Sequence, residues 1–381
     1  MQRGRRKNRL LDLWVGTPLL NLLASFHRRR QPPAGPLRRL GVMSSPALGD
    51  ALLFSAALQD LRAAFPAAEI THLCMRENLA AAEIIPGSDR RVLVNLTRPV
   101  ETIRRIRAQH FDVLLDFTGW QRLTAFYTLL SGAAYTVGFE TPGQRRSRGF
   151  DRTVPHRNRH EVENFRALLQ GCGLTPAIKT GHAPAIRVRP PETVPFAGET
   201  DLVTLHLWAS GQRSWLREWP EERWIELAKR LAGVDTLFVI TGSSAEVERT
   251  EPFVERMRAA GLRSEPFVSP DGFRTLTEVL RRSRLVVSVN TGVMHLAAIA
   301  GARLVAINGP NRNGRWGPVG PRAVGVEAPG EGCGYLHLGF DFDGRPTDCM
   351  ERTSVDQVLA AAQRLLTEDK TEDKEPERCS A

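Results

Sequence analysis

The chain has 381 residues, 42% hydrophobic and 25% charged, which is enough for two ordinary domain cores and excludes a fibrous or disulfide-rich class. Its formal net charge is +10, yet residues 1–40 carry ten basic side chains against the single acid Asp12, so the rest of the chain is nearly neutral. A neutral body behind a basic arm argues against nucleic acid and for an anionic membrane surface as partner.

The segment Leu10–Phe26 is apolar but carries Asp12, Asn21 and a break at Gly16–Pro18, and it is shorter than the ~20 apolar residues of a spanning helix. Arg28, Arg29 and Arg30 follow it where a signal peptide would have a small-residue cleavage site. Two readings stay open: an interfacial helix on an anionic membrane, or a helix packed on the protein's own core. Residues 31–36, QPPAGP, read as a linker that closes a basic N-terminal extension over residues 1–36.

From there strands alternate with helices. Strands are expected at Leu37–Met43, Glu69–Cys74, Arg91–Leu96, Asp112–Phe117 and Tyr135–Gly138, and helices at Gly49–Phe65, Pro99–Gln109 and Gln121–Ser131. The proline-rich stretch 176–200 marks a linker between a first domain over 37–175 and a second over 201–366. In the second, strands are expected at Leu202–Leu207, Thr236–Thr241, Leu285–Val289 and Arg303–Ile307. Its helices are expected at Glu221–Ala232, Ala245–Ala260, Thr275–Arg282, Gly292–Ala300 and Val355–Leu366. The charged tail from Thr367 has almost nothing to bury and is expected to be disordered. The alternation implies βαβ units, hence an α/β chain of two Rossmann-like domains facing a central cleft, with ligands beyond the carboxyl ends of the strands.

Five places follow a strand or gather charge. Ser44–Asp50 opens the first helix, where Asp50 is either a general base on an acceptor hydroxyl or a carboxylate favoured by the helix dipole. Ser288–His295 also opens a helix; the free N–H groups of Thr291 and Gly292 would cradle a phosphate, with His295 one turn on, or the helix is simply capped. After the strand Leu202–Leu207, Arg213 and Arg217 sit in a loop where a guanidinium could neutralise pyrophosphate, or be an ordinary exposed arginine. Gly242–Glu246 reads either as a site placing Glu246 on ribose hydroxyls or as a Ser-capped helix. Gln144–His160, with Arg145, Arg146 and Arg148, would face an acidic acceptor or be a solvated loop.

The negatives narrow the chemistry. No G-x-G-x-x-G follows a strand, no G-x-x-x-x-G-K-[ST] phosphate loop is present, and no G-x-S-x-G elbow appears. The five cysteines, Cys74, Cys172, Cys333, Cys349 and Cys379, are odd in number and scattered. They argue against a disulfide framework or a zinc site and fit a reducing, cytosolic compartment.

Four segments in order, SPALGDALLFSAALQDLRAAFP, WLREWPEERWIELAKRL, VNTGVMHLAAIAGARLVAINGP and RWGPVG at Arg315–Gly320, together resemble the heptosyltransferases of lipopolysaccharide core synthesis, the ninth glycosyltransferase family, which has the GT-B fold. The resemblance spans residues 37 to 366. It implies an inverting transfer from a nucleotide-sugar donor, by family default ADP-heptose, to a lipid-linked or anionic glycan, with no metal or other cofactor.

It implies Asp50 as catalytic base, with Ser45, Gly49, Arg145, Arg146 and Arg148 on the acceptor side. It further implies Ser210, Arg217, Glu246, Asn290, Thr291, Gly292 and His295 as donor-binding. Two positions depart from the family pattern: Asn290 stands where Asp is usual, and Arg217 where Lys is usual. The basic extension suits an enzyme at the inner face of the cytoplasmic membrane. Two rival functions share such a fold, a non-catalytic nucleotide-sugar or glycan sensor and a sugar-nucleotide epimerase.

Overall fold

The computed structural model describes residues 12–338 and 341–372, with the backbone alone for Val15 and residues 368–372. Arg3, Arg5, Arg6, Lys7 and Arg9 of the basic arm, and Cys379, lie outside the described residues. The chain divides into two compact units, Gln2–Arg187 and Val188–Ala381. The division falls inside the expected linker 176–200, whose first half is docked on the first unit: Gln59 Nε2 donates to Ala183 O at 3.0 Å and Ser55 Oγ accepts from Ala185 N at 2.9 Å.

The first unit is built on a parallel six-stranded sheet of order β3-β2-β1-β4-β5-β6. Its strands are β1 (Arg39–Met43), β2 (Glu69–Cys74), β3 (Arg90–Leu93), β4 (Val113–Asp116), β5 (Tyr135–Glu140) and β6 (Arg152–Pro155). Its helices are α1 (Thr17–Ala24), α2 (Leu48–Ala64), α3 (Leu79–Ile84), α4 (Pro99–Arg107), α5 (Arg122–Leu129) and α6 (Glu161–Gly171).

The second unit repeats the plan with the order β12-β11-β10-β7-β8-β9. Its strands are β7 (Leu202–His206), β8 (Leu237–Gly242), β9 (Ser264–Val268), β10 (Leu285–Val289), β11 (Leu304–Asn308) and β12 (Ala323–Glu327). Its longer helices are α7 (Glu221–Leu231), α8 (Val247–Ala259), α9 (Phe273–Arg282), α10 (Gly292–Ile299) and α11 (Val355–Glu372).

Burial explains which strands the pattern revealed. The inner strands β4, β7, β10 and β11 are covered on both faces and buried at every position, so they read as apolar runs. The strands that the pattern missed, β6, β9 and β12, are all sheet edges and half exposed; β6 and β9 lack such a run, and that of β12, AVGVE, is short and broken by a glycine. Packing is close: a Cβ at Gly138 of β5 would run into the Phe150 ring. The last helix packs its inner face, with Val358 and Leu359, into the second unit's core and runs on to Glu372, past residue 367; the rest of the tail expected to be disordered, 373–381, lies outside the described residues.

The N-terminal segment packs on the first unit. Leu20 is buried among Leu123, Phe126 and Phe150. Asp12 reaches the start of α5, where Oδ1 accepts from the backbone N–H groups of Arg122 and Leu123, both at 2.8 Å, and Oδ2 pairs with Arg122 Nη1 at 3.1 Å. A carboxylate on those unsatisfied N–H groups caps the helix and complements its dipole. Burial holds the Asp12 carboxyl above its ordinary range, against those hydrogen bonds. Beyond α1, Arg30 forks onto Asp151 at 2.9 and 3.1 Å and donates to Ala133 O at 2.6 Å. No helix among the described residues is long and apolar enough to cross a membrane.

Two of the scattered cysteines pair, against the expectation from their spacing. Cys333 and Cys349 form a disulfide, with Cα atoms 5.7 Å apart. Their 16-residue spacing gave no signal. The intervening chain turns back because Tyr335, Leu336 and Phe342 pack on Leu216. Cys74 and Cys172 are buried thiols, and burial pushes both above the ordinary thiol range.

Candidate active site

In each sheet the chain runs outward from a central strand to one edge, then returns to build the other side. The reversal falls between β1 and β4 in the first unit and between β7 and β10 in the second. Loops leaving the carboxyl ends of such neighbouring strands diverge and leave a crevice, where ligands of open α/β sheets bind.

In the first unit, Met43 lies opposite Asp116, and Asp50 follows β1 as the third residue of α2. Asp50 is 8% exposed. The turn that carries it is held from behind. Asn78 Nδ2 donates to Ser44 Oγ at 3.0 Å and to Ser45 O at 2.7 Å, while Ser44 Oγ lies 2.8 Å from His72 Nε2. Burial, with the Arg91 charge adding to it, pushes His72 down to about 3, so it is a neutral prop. Ser45 and Gly49 are both buried in this turn, and Ser45 Oγ accepts from Ala47 N at 3.4 Å.

The three acceptor-side arginines part company. Arg145, in the left-handed conformation at φ 53°, and Arg148 are exposed. Arg146 is fully buried. Its Nη2 pairs with Asp116 at 2.8 Å and donates to Thr118 Oγ1 at 2.8 Å, and its Nη1 donates to Thr118 O. This corrects the expectation that Arg146 meets an acidic ligand: its charge is neutralised by Asp116 inside the fold, where it shapes the loop after β4.

In the second unit the donor-side candidates lie on loops that follow three adjacent strands. Ser210 and Arg217 follow β7, Glu246 follows β8, and Asn290, Thr291, Gly292 and His295 follow β10. Ser288 of β10 lies opposite His206 of β7, so the two loops start side by side. Ser210 is exposed, and Arg217, 8% exposed, donates from Nη2 to Ser210 O across its own loop. Thr291 caps α10 by accepting from Met294 N at 3.4 Å, which leaves the N–H groups of Gly292 and Val293 at a helix start. His295 is buried one turn on.

Glu246 forms a capping box with Ser243, Oε2 accepting from Ser243 N at 2.7 Å, so the capping reading holds for that oxygen. His206 escaped the sequence reading. Buried at the end of β7, its Nδ1 lies 2.9 Å from Thr241 Oγ1, and burial keeps its pKa below the ordinary value although Glu246 opposes this. A histidine closing an apolar strand was the available signal.

Asn290 heads an amide chain that also explains the RWGPVG segment. Its Nδ2 donates to Asn308 Oδ1 and to Trp316 O, both at 2.8 Å. Asn308 Nδ2 donates to Asn313 Oδ1, and Asn313 Nδ2 donates to Gly325 O at 2.8 Å. The chain ends on carbonyl oxygens, Trp316 O and Gly325 O, which only accept, so the amides cannot flip together. An Asp at 290 would set a carboxylate against Trp316 O. Asn290→Asp is therefore expected to cost roughly 1–3 kcal/mol of stability, as read by melting curves.

Comparison with known proteins fits this arrangement. The family model described as glycosyltransferase family 9 (heptosyltransferase) matches residues 100–335. The chain belongs to glycosyltransferase family 9. A curated member, lipopolysaccharide heptosyltransferase 1 of Pseudomonas aeruginosa, is 26% identical over 86% of this chain and 90% of its own. The Escherichia coli K12 protein of the same name is 25% identical over 77% and 94%.

Among solved structures, E. coli ADP-heptose lps heptosyltransferase II superposes with a TM-score of 0.68 at 16% identity, covering 87% of this chain and 99% of that one. A family-9 glycosyltransferase from Veillonella parvula gives 0.66 at 20% identity, over 88% and 99%. This family-9 chain is thus a glycosyltransferase with the GT-B fold. The family decides against the sensor and the epimerase.

Proposed function

We propose that this enzyme is an inverting transferase that moves heptose from ADP-heptose onto a glycan of the lipopolysaccharide core, at the cytoplasmic side of a membrane. One observation supports the donor half: the loops that carry Arg217 and the N-terminus of α10 leave β7 and β10, adjacent strands at the reversal of strand order. Together they offer a guanidinium and free backbone N–H groups to a diphosphate. Glu246, through its second carboxylate oxygen, would hold the ribose, and Ser210, Asn290 and His295 would complete the pocket. A similar solved structure, E. coli heptosyltransferase WaaC with ADP, has a TM-score of 0.62 to this chain, and the same protein has been solved with ADP-2-deoxy-2-fluoro heptose. The relatives' shared name supports the acceptor class.

In this reading the acceptor hydroxyl gives its proton to Asp50 as its oxygen attacks the anomeric carbon and the diphosphate leaves. Arg217 and the N–H groups of Gly292 and Val293 stabilise the departing charge. Ser45, Gly49, Arg145 and Arg148 belong to the acceptor side. Residues 1–30 make a peripheral contact with an anionic membrane.

The test is a thermal-shift panel of ADP, UDP, GDP and CDP on the full chain. ADP at 100 times its Kd should add about 2.7 kcal/mol and raise the melting temperature above that with the other three. Equal shifts from all four, or none from ADP, would remove the ADP assignment.

A further inference from the structure

The N-terminal segment that packs on the first unit has a second side. While Leu20 is buried, Leu13, Trp14, Leu19, Leu22 and Phe26 are exposed by 45, 72, 38, 60 and 80%. They make up half of the large hydrophobic side chains exposed among the described residues. The segment is held at both ends, by Asp12 on α5 and by Arg30 on Asp151, so this apolar side keeps one orientation relative to the unit that carries Asp50. At its C-terminal end lies a hollow of about 230 Å³ lined by Ala24, Ser25, His27, Arg29 and Arg148, with no acidic side chain in its wall. Arg28 is exposed beside it. Arg29 and Arg148 stand 119 positions apart in the chain, and only the fold brings them together.

We propose that this surface is a membrane-docking face: Trp14, Leu22 and Phe26 enter the acyl boundary of an anionic monolayer, and the hollow between Arg29 and Arg148 receives a lipid phosphate. An aromatic and aliphatic helix side bordered by arginines is the composition that an anionic interface holds. Charge selects among occupants. A second copy of the chain would bring the same arginines against one another, whereas a lipid phosphate layer satisfies the apolar side and the cations together. The five basic residues at positions 3–9 of the sequence add the same sign. Arg148, placed above on the acceptor side, would then meet a lipid phosphate as well as the acceptor glycan. The inference deepens the peripheral membrane contact proposed above and uses none of the donor-side residues.

The test is co-sedimentation of the full chain with vesicles of phosphatidylcholine alone and of phosphatidylcholine with 30% phosphatidylglycerol. Wild type should partition onto the anionic vesicles at least tenfold better, and lose that preference at high salt. Trp14→Glu with Leu22→Glu should lower partitioning by tenfold or more, and Arg29→Glu alone by about tenfold. The Trp14/Leu22 variant should keep the ADP thermal shift and its turnover on a delipidated acceptor, so a failed vesicle result would leave the transferase reading standing, and a failed ADP result would leave the docking face standing. Wild type that ignores anionic vesicles, or variants that bind as well as wild type, would overturn the docking face. So would light scattering in which wild type is a dimer and the Trp14/Leu22 variant a monomer. Inorganic phosphate that protects the chain thermally without competing for vesicles would overturn the lipid assignment of the hollow.

Discussion

Replacing Asp50 by Asn is expected to lower turnover by roughly 10²–10⁴-fold, the usual range for loss of a general base, with ADP binding unchanged. Asn preserves the size of the side chain and can still accept from helix N–H groups, but it cannot take a proton. Position argues for the base. Asp50 leaves the carboxyl end of β1 at the reversal of strand order, on a turn braced by Asn78 and His72. A carboxylate serving only the helix dipole would sit equally well at any helix start. The two roles separate by magnitude: the dipole contribution is roughly 0.3–1 kcal/mol, a small shift in melting temperature with normal turnover. The decisive measurements are kcat on a soluble acceptor and the ADP thermal shift on the same preparation. Wild-type kcat in the variant would return Asp50 to a capping role.

Truncating Arg146 to Ala is expected to destabilise the first unit by roughly 3–5 kcal/mol, or about 10 °C for a unit of this size. The guanidinium and Asp116 are both fully buried and 2.8 Å apart. Without Arg146 the Asp116 carboxylate keeps only hydrogen bonds from Thr118 N and Oγ1, at 2.8 and 2.6 Å, and an uncompensated charge. Burial already lowers the Arg146 pKa, against the pull of Asp116, so the pair persists through mutual neutralisation. The double variant Arg146→Met, Asp116→Asn should recover much of the loss, because it removes both charges. Melting curves of the single and double variants measure the coupling. An unchanged melting temperature with a raised acceptor KM in Arg146→Ala would restore Arg146 to ligand binding.

Those two residues mark the boundary between what was legible and what was not. The α/β alternation, the inner strands and the turns at Asp50 and Thr291 are legible in the chain before it folds. These features are local: a strand covered on both faces must be apolar along its length, and a turn into a helix needs its own small or capping residues. The edge strands β6 and β9 escaped because exposure removes the apolar run, and β12 because its run is short and broken by Gly325.

Whatever depends on a distant partner becomes visible only in the folded chain. Asp12 caps a helix that begins 110 residues later. Cys333 meets Cys349 because an aromatic turn folds back onto Leu216. Arg146 reads in the chain like its neighbours Arg145 and Arg148, yet one is buried on Asp116 and the others face solvent. Asn290 is held as an amide by two carbonyl oxygens, Trp316 O and Gly325 O, at the ends of its chain. A side chain's charge and size are written in the sequence. Whether that charge meets water, a buried counter-ion or a ligand depends on which segments the packed sheets and helices bring beside it.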